Sequence, residues 1–421
     1  MVRSILIGRP LCALPFLFLI LCFQNAGWGQ TPPKNSCVEC HLDLWGEMKG
    51  SVHSQQGIFC NSCHGGDPAR SDKDQAKAPG TGYVGVPDKK TSVETCGNCH
   101  ADVERMNFYG IRTDQLARYK TSGHGKKLLQ AGDAKVAACI DCHGYHDVVP
   151  VSDPNSPIYP INLPKTCHHC HGNEALMKNY GLPTDIFETY RKSVHGQALL
   201  EKKDLSVAYC TSCHGSHGAI PPGVKSIGES CGKCHMNEKK FFLESPHAAP
   251  MKEGKFSECI VCHGNHGIER PDKRLYQETC VKCHAPASGA VKLGEKLAGV
   301  LGKSEDKLRA TEALVKQASI EGIFVEEEIG ALEEAKTNVI AMAPLQHTLS
   351  LERISELSQK FVEAAENIEA KVHRKRQFLK WRKIALIPLW IFFLAMVTAL
   401  WAKYKRLKHG RPGEDEKERH G

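Results

Sequence analysis

The sequence predicts a mainly α protein with extensive loops: a loop-rich region with little regular secondary structure, then a helical hairpin or bundle, then one transmembrane helix. Three observations predict it. Nine C-x-x-C-H motifs fall between Cys37 and His284, with Gly and Pro plentiful between them (Pro79-Gly80, Gly82, Pro87, Pro154, Pro157, Pro160), as loops demand. Residues 288–382 lack cysteine and carry apolar residues at three- and four-residue steps. Residues 384–402 carry no charge at all.

The first region is built from a repeated unit, C-x-x-C-H, then S-x-H, then C-x-x-C-H-G-x-H. The clearest copy begins with C-G-N-C-H at Cys96–His100, continues with Ser122-Gly123-His124, and ends in C-I-D-C-H-G-Y-H at Cys139–His146. It recurs ungapped 71 residues later, as Cys167–His171, Ser193-Val194-His195 and Cys210–His217. Shorter copies flank these two. One has Cys37–His41, Ser51-Val52-His53 and Cys60–His64, and the other has Cys231–His235, Ser245-Pro246-His247 and Cys259–His266. A ninth motif, Cys280–His284, stands alone, and Asp67 takes the place of the last histidine in the first unit.

C-x-x-C-H is the attachment signature of c-type haem. Two cysteines three apart share one face of a helical turn, so both can bond to the porphyrin vinyl groups, and the adjacent histidine then reaches the iron. Zinc sites and disulfides also use paired cysteines. Neither needs a histidine directly after the second one, and all nine pairs have it. Of the 20 cysteines, only Cys12 and Cys22 lie outside the motifs, in an N-terminal segment expected to be removed. The expected covalent haem sites, nine haem c in all, are Cys37, Cys40, Cys60, Cys63, Cys96, Cys99, Cys139, Cys142, Cys167, Cys170, Cys210, Cys213, Cys231, Cys234, Cys259, Cys262, Cys280 and Cys283. The proximal iron ligands are His41, His64, His100, His143, His171, His214, His235, His263 and His284.

Histidines that recur in phase with the motifs are the natural sixth ligands. These are His53, His124, His195 and His247 of S-x-H, and His146, His217 and His266 of H-G-x-H. Nine fully ligated irons need two more, for which His347 and one of His168 or His169 are the candidates. His347 sits in a turn between two expected helices. Mostly imidazole ligation implies low-potential, low-spin haems suited to electron transfer. No catalytic residue is assigned.

The remaining segments follow in order. Residues 1–29 combine Arg3 and Arg9, an apolar run from Leu11 to Phe23, and Gly27 and Gly29, the layout of a cleaved signal peptide. The haem region, residues 30–287, is too crowded with motifs for an ordinary aliphatic core. Residues 288–382 are expected as helices over roughly 291–318, 326–342 and from 351 onward. The last carries the stripe Leu351, Ile354, Leu357, Phe361, Ala365, Ile368 and Val372, with Ser350 as its N-cap. Residues 384–402 read as a single membrane span with Lys and Arg on both flanks. The leader then puts the haem region in the periplasm and residues 403–421 in the cytoplasm. The net charge of +8 belongs to those flanks, which look like headgroup anchors, so a nucleic-acid partner has no support.

The repeated motifs, with C-H-G-x-H and S-x-H, resemble the multihaem c-type cytochromes of bacterial (anaerobic) respiration. That superfamily takes in the quinol dehydrogenases, hydroxylamine oxidoreductase and cytochrome c nitrite reductase. The resemblance covers residues 37–284 and, more loosely, the C-terminal helices. It implies electron transfer at the outer face of the cytoplasmic membrane, from a quinol-linked membrane partner to soluble periplasmic cytochromes or reductases. The alternative it implies is an oxidoreductase with one five-coordinate catalytic haem. Two departures bear on this. The anchor is C-terminal where the quinol dehydrogenases have an N-terminal one, and every motif ends in histidine where the nitrite reductase has a C-x-x-C-K haem.

Overall fold

The computed structural model describes residues 34–221, 227–255 and 258–409. The expected leader and the last part of the expected cytoplasmic tail lie outside the described residues. Among those described, the chain is mainly helical and has no strand.

The repeated region is a string of short helices joined by loops. In the second unit these are Lys89–His100, Val103–Phe108, Gln115–Thr121, Gly123–Leu129 and Cys139–His143. The third unit repeats all five, as Leu163–His171, Glu174–Met177 with the 3-10 turn Lys178–Tyr180, Ile186–Lys192, Val194–Leu200 and Cys210–His214. The repeat extends to single contacts. Tyr119 Oη donates to the Ala137 carbonyl at 2.8 Å, and Tyr190 Oη donates to that of Ala208 at 3.0 Å. One apolar cluster lies here, formed by Val93, Tyr119, Leu128, Val136 and Ala138.

Three more clusters lie in the C-terminal helices or join them to the fourth unit. Those helices are Gly289–Ile320, Glu326–Leu345 and Leu351–Ala385, close to the expected bounds. Ser350 caps the last of them, accepting from the Arg353 amide. Its stripe is inward: Ile354, Phe361, Ala365, Ile368 and Val372 are buried. Each large aliphatic or aromatic side chain so buried contributes about 1.5–3 kcal/mol. Polar groups between the helices form specific pairs. Glu369 accepts from Lys307 and Thr311, each at 2.7 Å, and buried Glu328 pairs with Lys375 at 2.7 Å.

The helices dock on the fourth unit. Phe241 and Tyr276 pack against the cluster of Leu297, Met342, Leu345 and Ile354. Tyr276 Oη donates to Gln346 Oε1 at 2.7 Å, and Arg353 bridges to Glu244 at 2.6 Å. The third long helix runs on through Leu386 into Ile387–His409, which is long and apolar enough to cross a membrane and buries no side chain in the protein. The tip between the first two helices is tied to Lys375 and Arg376, just before that apolar stretch.

Candidate haem-ligand pairs

Two local devices set the histidines. The first is the serine of S-x-H. Ser51, Ser122 and Ser193 are buried N-caps whose hydroxyls accept from the amides of Ser54, Gly125 and Gly196 at 2.9–3.2 Å. The histidine is thereby held in the first turn of a helix. In the fourth unit Ser245 Oγ accepts from the His247 amide itself at 3.2 Å. The second device is the glycine of H-G-x-H. Gly144 and its counterparts Gly65, Gly215 and Gly264 end the motif helix at positive φ, from 67° to 77°. The chain therefore turns sharply, and the last histidine is aimed away from its own motif.

The consequence is an exchange between units. Each S-x-H histidine faces the first motif of the following unit: His53 faces His100, His124 faces His171, His195 faces His235, and His247 faces His284 of the solitary motif. Each H-G-x-H histidine faces the second motif of the preceding unit: His146 faces His64, His217 faces His143, and His266 faces His214. The fourth unit has no following H-G-x-H to serve its second motif. There His347, from the turn between two long helices, faces His263 at 6.1 Å.

All eight pairs have ring centres 5.9–6.4 Å apart. An imidazole nitrogen sits about 2 Å from a bound metal and roughly 1.1 Å from its own ring centre, so two imidazoles trans on one iron have centres about 6 Å apart. The side chains therefore fit an axially ligated haem iron. Among the described residues no group of three or more His, Cys, Asp or Glu is placed to hold a metal by itself, and no cysteine is in a disulfide.

Electrostatics suit the same role, since a metal ligand must be a neutral imidazole. Burial pushes His143 down to about 4, with His217 and His100 beside it adding to the effect. Burial likewise lowers His53, His100, His124, His171, His195, His217, His247, His263 and His266. Backbone carbonyls fix two tautomers. His64 Nδ1 donates to Gly85 O at 2.7 Å and His347 Nδ1 to Pro344 O at 2.9 Å, which leaves each Nε2 free for iron. The roles of Gly85 and Pro344 were not legible because each contributes only a backbone carbonyl, and the S-x-H serines stood in the motif without their capping role being visible.

The thiols show how motifs follow one another. Within units, Cys96 meets Cys139, Cys167 meets Cys210, Cys231 meets Cys259, and Cys60, raised chiefly by burial, is raised further by nearby Cys37. Between units, Cys63 feels Cys96 and Cys99, Cys142 feels Cys167 and Cys170, Cys213 feels Cys231 and Cys234, and Cys262 feels Cys280 and Cys283. In each of these four, burial is the larger cause of the raised thiol pKa and the neighbouring sulfurs add to it. The nine motifs thus form a ladder in sequence order.

Some expected residues are not brought to a motif. His168 stacks on Phe187 at 4.8 Å, and His169 is exposed on its helix with no ring opposite it. His41 is exposed and, among the described residues, faces no histidine. Asp67 accepts from the Ala69 amide at 3.0 Å and pairs with Arg70 at 3.4 Å, a loop role.

The chain is similar to known cytochromes. Residues 26–65 and 230–301 match the family described as Cytochrome c554 and c-prime. The C-type polyheme cytochrome OmcB of Geobacter sulfurreducens, in strains DL-1 / KN400 and PCA, is 22% identical over 209 residues. The match takes in 47% of this chain and 22% of OmcB, so the chain spans under a quarter of its relative's length. No solved structure matches. These likenesses support a multihaem c-type cytochrome with covalently bound haem c, serving electron transfer.

Proposed function

We propose that the chain is a nine-haem relay anchored to the cytoplasmic membrane of a bacterium by residues 384–402. Its ladder faces the periplasm and passes electrons between a quinol-linked membrane partner and soluble periplasmic cytochromes or reductases. One observation carries this: eight imidazole pairs at iron-spanning distance, strung along motifs whose sulfurs are neighbours in sequence order. Bound haem supplies one-electron iron chemistry, tuned by its axial ligands. The protein supplies the rest. The thiols would fix each porphyrin covalently, the eight imidazole pairs would hold their irons low-spin and closed to substrates, and loops keep successive motifs adjacent so that each electron step is short. The docked helices tie the ladder's C-terminal end to the apolar helix.

The test is His217→Ala. In protein shown by pyridine haemochrome and intact mass to carry nine haems, one haem that is low-spin in the parent should become high-spin, and the other haems should keep their parent spin state. The haem affected should be that of Cys139 and Cys142, in the preceding unit, and transfer along the ladder should slow. An unchanged spectrum counts against the relay as described. A second reading, an oxidoreductase with one open haem, is favoured by a single observation, the unopposed His41.

A further inference from the structure

The ladder has one end that its own exchange rule leaves unfinished. A first motif receives its facing histidine from the S-x-H of the unit before it, as His100, His171, His235 and His284 do. Residues 1–36, ahead of the motif at Cys37–His41, contain neither a C-x-x-C-H unit nor a histidine. The same rule accounts for Asp67. An H-G-x-H histidine serves the second motif of the preceding unit, so in the first unit that position has nothing to serve, and Asp67 instead closes a local turn.

The remaining histidines among the described residues do not repair the gap. His168 is stacked on Phe187, His169 is exposed on Leu163–His171, and His373 and His409 belong to the C-terminal helices. The other irregular position shows what repair looks like. His263, which lacks a following H-G-x-H, is met by His347 from outside the repeats. The C-terminal end of the ladder is therefore closed, and the N-terminal end is not.

We infer that the Cys37–Cys40–His41 motif carries the one iron of this ladder that is open to an external ligand, and that it takes small neutral π-acceptors such as carbon monoxide or nitric oxide in the ferrous state. Binding adds a ligand at the sixth position and transfers no electron. The inference rests on the nine-haem reading and deepens it. One terminal site joins the electron path to ligand chemistry, while the other eight are shut by histidine on both sides.

Carbon monoxide titration of the dithionite-reduced, full-length protein tests it, followed by Soret difference spectra. One CO per nine haems is expected, with one high-spin signal in the ferric EPR spectrum. The double variant Cys37→Ser, Cys40→Ser should carry eight haems and bind no CO. Fewer than nine haems in the parent overturns the relay reading. Nine haems with no CO bound, or CO binding that survives in the eight-haem variant, overturns this inference alone. Should the double variant fail to mature, His53→Ala, His124→Ala and the corresponding change at each of the other six facing histidines replace it. Every one should bind two CO, and a variant that still binds one marks its own haem as the open site and refutes the assignment to His41.

Discussion

The ladder and the C-terminal hairpin obtain their order by opposite means. The hairpin has the ordinary solution: an amphipathic stripe, with Phe361, Ala365 and Val372 fully buried, and three of the four apolar clusters in or against it. The ladder has one such cluster, around Tyr119, for four units. Its units are joined by single backbone hydrogen bonds, Val52 N to Val148 O, Gly123 N to Ala219 O and Val194 N to Ile268 O, and by pairs of imidazoles that need something between them to become bonds. A cofactor with two axial positions is thus a structural part of the ladder, whereas the hairpin folds around its own side chains.

Withholding haem breaks this comparison most sharply. In full-length protein made without haem attachment, protease should cut throughout residues 34–285 and leave a resistant fragment covering 289–385, which mass spectrometry would identify. Equal resistance in both regions would show that the ladder has a core of its own. A core deletion acts on the other side. Phe361→Ala should cost the hairpin about 3–5 kcal/mol, through lost burial and the cavity left behind. Helix melting followed by circular dichroism should fall, while the low-spin haem spectrum stays as it is.

Acid gives the smallest effect. Burial raises the Glu369 pKa, but hydrogen bonds from Lys307 and Thr311 and the charge of Lys307 outweigh it, so the folded value lies below the usual one. The unfolded carboxyl then takes up its proton at a higher pH than the folded one. The contribution is complete above the ordinary glutamate value of about 4.3 and is lost as pH falls through the lowered folded value. The pair is partly solvated, so it is worth about 1 kcal/mol or less. The hairpin's melting point should drop between pH 5 and 3, within about that range of energies, and Glu369→Gln should flatten the drop.

Much of the architecture was legible in residue order. The motifs named the residues expected to hold haem, the stripe from Leu351 to Val372 marked the buried face, and Ser350 marked where that helix begins. The pairing of histidines was not legible, for a physical reason. In a periodic chain, a ligand recurring once per unit has the same spacing whether it serves its own unit or the next. His124 and His195 are equivalent under either rule, and only three-dimensional placement separates the two. Asp67 looked like a missing ligand because the exchange was invisible. Counting by unit required two extra ligands, and the structure leaves only His41 unopposed. His347 stood out as a turn histidine, but its facing partner, His263, depends on how the hairpin docks through Tyr276, Gln346 and Arg353.

The 71-residue offset between the second and third units has a consequence for how such chains change length. Excise residues 96–166, one whole period, and the forward-facing His53 would meet His171, while the backward-facing His217 would meet His64. Every facing imidazole that remained would still have a counterpart, and both ends of the ladder would be as before. Insert a further period and the same holds. A fractional change would strand histidines on both sides of the break. The conductor's reach is therefore quantised: gene duplication and loss can reset it in steps of one unit, without a new contact having to be invented.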